Sequence, residues 1–359
     1  MVDKLRFIAE IGVNHNGDLE MAKDLIQASA ESGATHAKLQ FFQPGFLASD
    51  EALLAEYQIR NGVRSKSQSE MLEKLALKPD EVLELDTYAD SLGLPLIVTP
   101  FDLNALDFVV ANLRNKVVKI GSGDLTFVQL IFEASKSGAE LIISTGMSTI
   151  DEVDRAVSVA MAGRAVHLGL LPPYFVPKTS ELDFVDLDAK SSSWLAIMHC
   201  TSTYPAPIEQ LNISALANLS KYNARLGYSD HSISNHGAIM ALSFGALDFE
   251  KHITLSKTNE GPDHLSSLEP DEFSEYARDI RHAFLALGNG SKEVQASEFD
   301  VRNVARRSLF AAKDIRKGDA FTVSNLIALR PANFVPASEF YNRLGEVSSR
   351  TYRAGEAID

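Results

Sequence analysis

The chain is predicted to fold as a (β/α)8 barrel followed by a small, mostly β domain. Three observations predict it. Eight short apolar runs alternate with amphipathic helical patterns between residues 5 and 287, the rhythm of parallel strands joined by helical crossovers. Polar residues gather at the carboxyl end of nearly every run, where a parallel barrel collects its reactive groups. Beyond Gly288 the helical rhythm stops. A doubly wound open sheet is the competing fold, but no G-x-G-x-x-G opens the first helix, so its dinucleotide-binding form has no support.

The apolar runs are LRFIAEIG (5–12), HAKLQFF (36–42), LPLIVTP (94–100), KVVKIGSG (116–123), ELIISTG (140–146), WLAIMHCTS (194–202), ARLGYSD (224–230) and ALDFEKHIT (246–254). Between them the period changes to that of a helix, for instance at 19–32, 80–91, 127–137, 150–162, 235–244 and 270–287. Residues 164–193 break the rhythm and read as an extended connection ending in an acidic stretch. Residues 1–288 are thus assigned to the barrel, 289–304 to a polar linker and 305–359 to the small domain. Its RSLFAAKDIRKGDAFTVSNLIALRP has short strands and a Lys317-Gly318 turn.

The 359 residues suffice for one large α/β domain and a small one. Hydrophobic residues at 45% and charged residues at 23% are globular values. The formal net charge of −14 disfavours nucleic acid and anionic membranes as partners, because both need basic surface. The single cysteine, Cys200, excludes an internal disulfide framework and makes a reducing cytoplasm the expected compartment. The N-terminus lacks the pattern of a cleaved signal, and no run is apolar for the ~18 residues a membrane span needs.

Strand ends carry the chemistry. Lys38 and Gln40 share a face, as do Ser229 and His231, and Asp248, Glu250 and His252, because strand side chains alternate. Imidazole is the commonest metal ligand, so His231 and His252 could hold one divalent ion at the barrel mouth; each could equally be an ordinary buried histidine. Lys38 and Lys119, flanked by apolar strand residues, read as a pocket for phosphate and carboxylate, since isolated buried ammonium groups are costly. The alternative is a surface lysine at a strand end. GSGD at 121–124 and STGMS at 144–148 could offer N–H groups and hydroxyls to an anion, or be plain βα turns. Tyr204-Pro205-Ala206-Pro207 stiffens the loop after the sixth run, as a turn or as a wall of the substrate pocket. The inventory suits a phosphorylated substrate and a metal that polarises a carbonyl.

IAEIGVNHNGDLEMAKDLIQASAESGATHAKLQ, TPF at 99–101, KIGSGD, STGMS, HCTSTYPAP, GYSDH and FEKHITL…GPDHLSSLEP resemble the sialic acid synthase family nearly end to end. RSLFAAKDIRKG and ALRP resemble its C-terminal antifreeze-like (SAF) domain. The resemblance implies condensation of phosphoenolpyruvate with an N-acetylated hexosamine and water, giving a nine-carbon α-keto acid and phosphate by C–O cleavage. It implies His231 and His252 as ligands of a divalent metal, Mn2+ or Mg2+. Lys38, Thr99, Lys119, Ser122, Ser144, Ser202 and Ser229 match phosphoenolpyruvate-holding residues, and Glu10, Tyr204, Asp263 and Arg330 match residues around the acceptor sugar. Arg330 is expected to reach the partner's barrel, which implies a homodimer with swapped SAF domains.

Glu10, Asp124 and Lys119 are the expected catalytic groups: the carboxylates to stabilise charge at C2 or guide water, the lysine to balance the phosphate. Two departures stand out, Ser202 where the family often has Asn, and Asp124 where Glu is common after GSG. GPDH at 261–264 resembles the N-acetylneuraminate and legionaminate branches, so N-acetylneuraminate synthase acting on N-acetylmannosamine is the first expectation. Legionaminate synthase acting on 2,4-diacetamido-2,4,6-trideoxymannose is the alternative, with a pseudaminate synthase, a pyruvate aldolase and a non-catalytic ice- or carbohydrate-binding protein behind it. Lys313, Asp314, Arg316, Lys317 and Asp319 crowd one short run, which argues against an ice-binding face.

Overall fold

The computed structural model describes residues 4–49, 51–54, 59, 64–65, 67–178 and 194–359. They form two compact units, Met1–Gly288 and Asn289–Asp359. In the first, eight parallel strands close into a barrel in chain order. They are β1 (Arg6–Gly12), β2 (His36–Phe41), β3 (Leu96–Pro100), β4 (Val117–Ile120), β5 (Glu140–Ser144), β6 (Leu195–Cys200), β7 (Arg225–Asp230) and β8 (Ala246–His252). The expected barrel is therefore observed, and β8 pairs back onto β1.

Alternation sorts each strand. Phe7, Ala9 and Ile11 of β1 point outward and join the main core packed beneath the helices. The inward residues stack in three layers. At the amino end Arg6 reaches Glu140 at 2.6 Å and Arg225 reaches Asp248 at 2.5 Å. The middle layer is apolar, built from Ile8, Ile97, Val117, Ile142, Ala196 and Met198. The third layer, one inward position further along each strand, is polar and lines the mouth.

The helices begin and end where local chemistry directs. Asp18 caps Leu19–Glu31 by accepting from Met21 N at 2.9 Å, leaving Ala22, Leu25, Ile26 and Ser29 on the buried face. Pro270–Leu287 has proline in its first turn, a Glu269/Glu272 capping box, and Gly288 at positive φ where it stops. It buries Phe273, Tyr276 and Ile280, worth roughly 1.5–3 kcal/mol for each large apolar side chain.

The helix Ile150–His167 runs five residues past the expected end at 162, because Met161, Ala162, Gly163 and Ala165 keep its buried face going while Arg164 and His167 place positive-capable side chains in its last turn. Residues 164–167 are thus helix and not extended connection; 179–193, with the acidic stretch, lie outside the described residues. The structure also adds Gln68–Leu75 and Leu103–Asn112, the latter capped by Asp102. No helix among the described residues is long and apolar enough to cross a membrane.

The second unit pairs β9 (Ser308–Ala311) with β10 (Leu326–Leu329) antiparallel, with isolated bridges such as Phe310–Ala357 and Ile315–Tyr352. Its own core is Leu309, Ala311, Ile315, Phe321, Leu326, Tyr352 and Ile358. The segment read as a polar linker ends in a helix, Phe299–Ala305, that runs one residue into the expected small domain, and it clusters with this unit.

Candidate active site

The polar layer opens into a cavity of about 190 Å³ at the carboxyl ends of the strands. Glu10, Lys38, Thr99, Lys119, Ser122, Ser144, Tyr204, Ser229, His231 and His252 all line it. So do Gly121 and Gly123 of the GSGD loop, and Phe101 and Cys200, to which the sequence assigned no part at the site. Gln40 and Glu250, placed on inward faces by alternation but given no role, line it as well.

Glu250 sits at the electrostatic centre. Ser229 Oγ donates to it at 2.8 Å, and the ammonium groups of Lys38 and Lys119 lie 3.5 and 3.6 Å away. Lys38 also meets Glu10 at 2.9 Å and Thr99 Oγ1 at 3.3 Å, and Gln40 donates to Glu10 at 3.0 Å. The expectation that buried lysines need an anionic ligand is modified here: the protein supplies two counter-charges of its own. Burial opposes the charge on Lys38, but Glu10 and Glu250 outweigh it and raise its pKa. Burial dominates at Lys119, and Lys38 adds to it, so that pKa falls. Glu10 is raised by burial and by Glu250 despite Lys38. Glu250 is lowered, because Lys119, Lys38 and the Ser229 hydroxyl together overcome its burial.

The two histidines stand side by side, ring centroids 5.7 Å apart, with Tyr204 against both at 4.2 and 5.5 Å. Burial first, then the adjoining His252 for His231 and the Lys38 ammonium for His252, pushes both imidazoles down to about 3, so both are neutral at pH 7. His231 Nδ1 lies 2.8 Å from the Thr201 carbonyl, which can only accept. That fixes the proton on Nδ1 and leaves the Nε2 lone pair facing Tyr204 OH at 3.2 Å. His252 Nδ1 is buried with no hydrogen-bond partner among the described residues; Asp263 Oδ2 is 3.9 Å away. Two neutral imidazoles, one with an unsatisfied nitrogen and the other oriented through its far nitrogen, suit a divalent metal. No group of three or more His, Cys, Asp or Glu that could hold an ion occurs among the described residues. Any ion here would keep positions open for substrate or water.

Four expected site residues lie off the cavity lining. Ser202 stands behind it, its hydroxyl 2.8 Å from that of Ser122. Gly146 makes room for this contact: a Cβ there would fall 2.1 Å from Ser202 Oγ and 2.7 Å from Cys200 Sγ. Asp124 is half-buried in the short turn Ser122–Asp124 after β4, and burial lifts it to about 6 against the pull of Lys119. Asp263 is buried in the loop after β8, pushed up to about 7 by burial and then by Glu10. Arg330 is exposed on the second unit, directly after β10.

Comparison with known proteins identifies the families to which the two units are similar. Residues 25–292 match the NeuB family and residues 306–359 the SAF domain. The chain is 35% identical to N,N'-diacetyllegionaminic acid synthase of Campylobacter jejuni, over 99% of both chains. It is 36% identical to the enzyme of the same name from Legionella pneumophila, over 98% of this chain and 92% of that one. Among solved structures it resembles the N-acetylneuraminic acid synthetase of Leptospira borgpetersenii, crystallised with citrate. That match has a TM-score of 0.66 and 27% identity, covering 83% of this chain and 90% of that one. The chain belongs to the NeuB family of nonulosonate synthases and carries that family's C-terminal SAF domain.

Proposed function

We propose that the chain is an N,N'-diacetyllegionaminate synthase. It joins phosphoenolpyruvate to 2,4-diacetamido-2,4,6-trideoxymannose with water and releases phosphate by C–O cleavage. The observation that carries the reaction class is the cavity itself: two buried lysines and several serine hydroxyls beside two neutral histidines. The acceptor follows from the two full-length relatives named for diacetyllegionaminic acid. They favour this sugar over N-acetylmannosamine, which the sequence motifs put first.

Lys119 and Lys38 neutralise the phosphate and carboxylate, and the hydroxyls of Ser122, Ser144, Ser229 and Thr99 orient them. Ser202 holds Ser122 in place. His231 and His252 would hold a divalent ion, Mn2+ or Mg2+, which supplies Lewis-acid polarisation of the acceptor's aldehyde. Glu10 stands next to Lys38 at the base of the cavity, able to stabilise positive charge at C2 or to hold the water that adds there. Asp124 is the second carboxylate for that task. Tyr204 and Asp263 face the acceptor. Arg330, supplied by the SAF domain of the partner in a homodimer, would meet an N-acetyl group. A cytoplasmic setting fits a chain with one cysteine.

The test measures phosphate release from phosphoenolpyruvate with Mn2+ across three acceptors: N-acetylmannosamine, 2,4-diacetamido-2,4,6-trideoxymannose and its altrose isomer. The diacetamido mannose sugar is expected to give the highest kcat/KM. Preference for N-acetylmannosamine would return the first expectation, and no phosphate release with any acceptor would overturn the reaction.

A further inference from the structure

Alternation places more than ligands at the ends of β7 and β8. His231 follows Asp230 and His252 follows Lys251, so when the imidazoles turn into the cavity the preceding side chains turn outward. Asp230 and Lys251 are register partners on adjacent strands. Their charged groups meet at 3.0 Å, with side chains 0% and 1% exposed. The Tyr276 ring, on Pro270–Leu287, lies 5.4 Å from Lys251 Nζ. Lys251 Nζ also donates to the Ser232 carbonyl, just past His231. Asp230 Oδ1 accepts from Ser232 N at 2.9 Å and lies 2.7 Å from Ser232 Oγ and 3.4 Å from Tyr228 OH. The backbone is therefore tied on both sides of His231 to a group that precedes His252.

We propose that Asp230 and Lys251 are positioning residues, a buried ionic clamp behind the barrel wall that fixes the spacing of His231 and His252. The proposal rests on the reading that these histidines hold a divalent ion. A buried ion pair is weak evidence for stability, because desolvation offsets most of its attraction. Its use here is geometric. Metal–ligand distances must hold to about 0.2 Å, and with only two protein ligands no third one defines the site. His252 Nδ1 has no hydrogen-bond partner among the described residues, so its position depends on where β8 ends.

The experiment compares the full-length wild type with Lys251→Met and with Asp230→Asn/Lys251→Met, which leaves no uncompensated buried charge if the single variant fails to fold. Mn2+ affinity is read from free Mn2+ by electron paramagnetic resonance, with His252→Ala as reference. Hydrogen exchange of the peptide spanning 229–234 is read without metal, against a peptide from β4. The double variant should bind Mn2+ about 10–100-fold more weakly and exchange faster at 229–234 alone. Wild-type exchange in the double variant overturns the clamp, whatever the metal does. Faster exchange with wild-type Mn2+ affinity overturns its positioning role. If the wild type binds Mn2+ no better than His252→Ala, the metal reading fails, while faster exchange still upholds the clamp.

Discussion

Lys119→Met is the sharpest test of the anion site. Lys38 is committed within the protein, 2.9 Å from Glu10 and in contact with Thr99 and Glu250. Lys119 has Glu250 at 3.6 Å, too long for a hydrogen bond. Its donors therefore have more to gain from an arriving anion. A hydrogen bond to a charged group contributes about 1.5–3 kcal/mol, which is roughly 10- to 150-fold in affinity. Methionine keeps most of the length and removes the charge. Two side effects oppose each other: Glu250 loses a counter-charge and repels the anion, but its pKa rises and part of that charge is neutralised. The KM for phosphoenolpyruvate should rise within that range while the acceptor's KM changes little. Initial rates of phosphate release at saturating acceptor and Mn2+ measure both. A lowered kcat with an unchanged phosphoenolpyruvate KM would refute the anchoring role. Lys38→Met is the companion variant: it should lower thermal stability more, because it strands Glu10 as well.

Asp124→Asn should change both activity and stability with pH. Burial lifts Asp124 from 3.8 to about 6, so folding favours its protonated form. That contribution is fully present below pH 4 and is lost as pH rises through 6. The asparagine variant should therefore gain thermal stability relative to wild type between pH 4 and 7; a constant difference across that window contradicts the burial argument. If the carboxylate guides water, the acidic limb of kcat/KM near pH 6 should vanish in the same variant. Gly163→Ala tests packing away from the cavity. A Cβ there would lie 2.6 Å from the Phe132 carbonyl, where two helices touch. Overpacking should cost about 1–3 kcal/mol in denaturant unfolding with KM values unchanged, and a neutral variant would mean that the helices separate freely.

The fold was legible because its signals are local. Period, caps and breakers placed strands such as β7, expected at 224–230 and observed at Arg225–Asp230, and located Pro270–Leu287 to the residue. Alternation told which face Lys38, Ser229 and His252 share. It could not tell height around the barrel, which depends on register between strands. Glu10 sits beside Lys38 because β1 pairs with β2 in that register, and Ser229 beside Glu250 because β7 pairs with β8 likewise. Hence the lysines read as needing a ligand, when carboxylates from other strands already faced them. Gly146 was illegible for a related reason: its missing Cβ leaves the space that Ser202 and Cys200 fill, which only the folded neighbours define. The end of Ile150–His167 was missed because alanine and valine do not announce where a helix stops.

That internal charge balance has a consequence when the substrate arrives. Two ammonium groups and two carboxylates occupy the cavity above an apolar floor of Ile8, Ile97, Val117, Ile142, Ala196 and Met198, which keeps the local dielectric low and charge interactions strong. Glu10 already leans toward its protonated form and Lys119 toward its neutral one. An added anion raises both pKa values, because it repels a carboxylate and attracts an ammonium. Binding phosphoenolpyruvate should therefore draw both groups toward their protonated forms and take up protons from solution. Calorimetry of phosphoenolpyruvate binding in buffers of different ionisation enthalpy, with metal held constant, measures that uptake directly. The same heat in every buffer would mean that Glu10 and Lys119 do not titrate with binding. The anion would then bind to lysines whose charges the protein has already fixed.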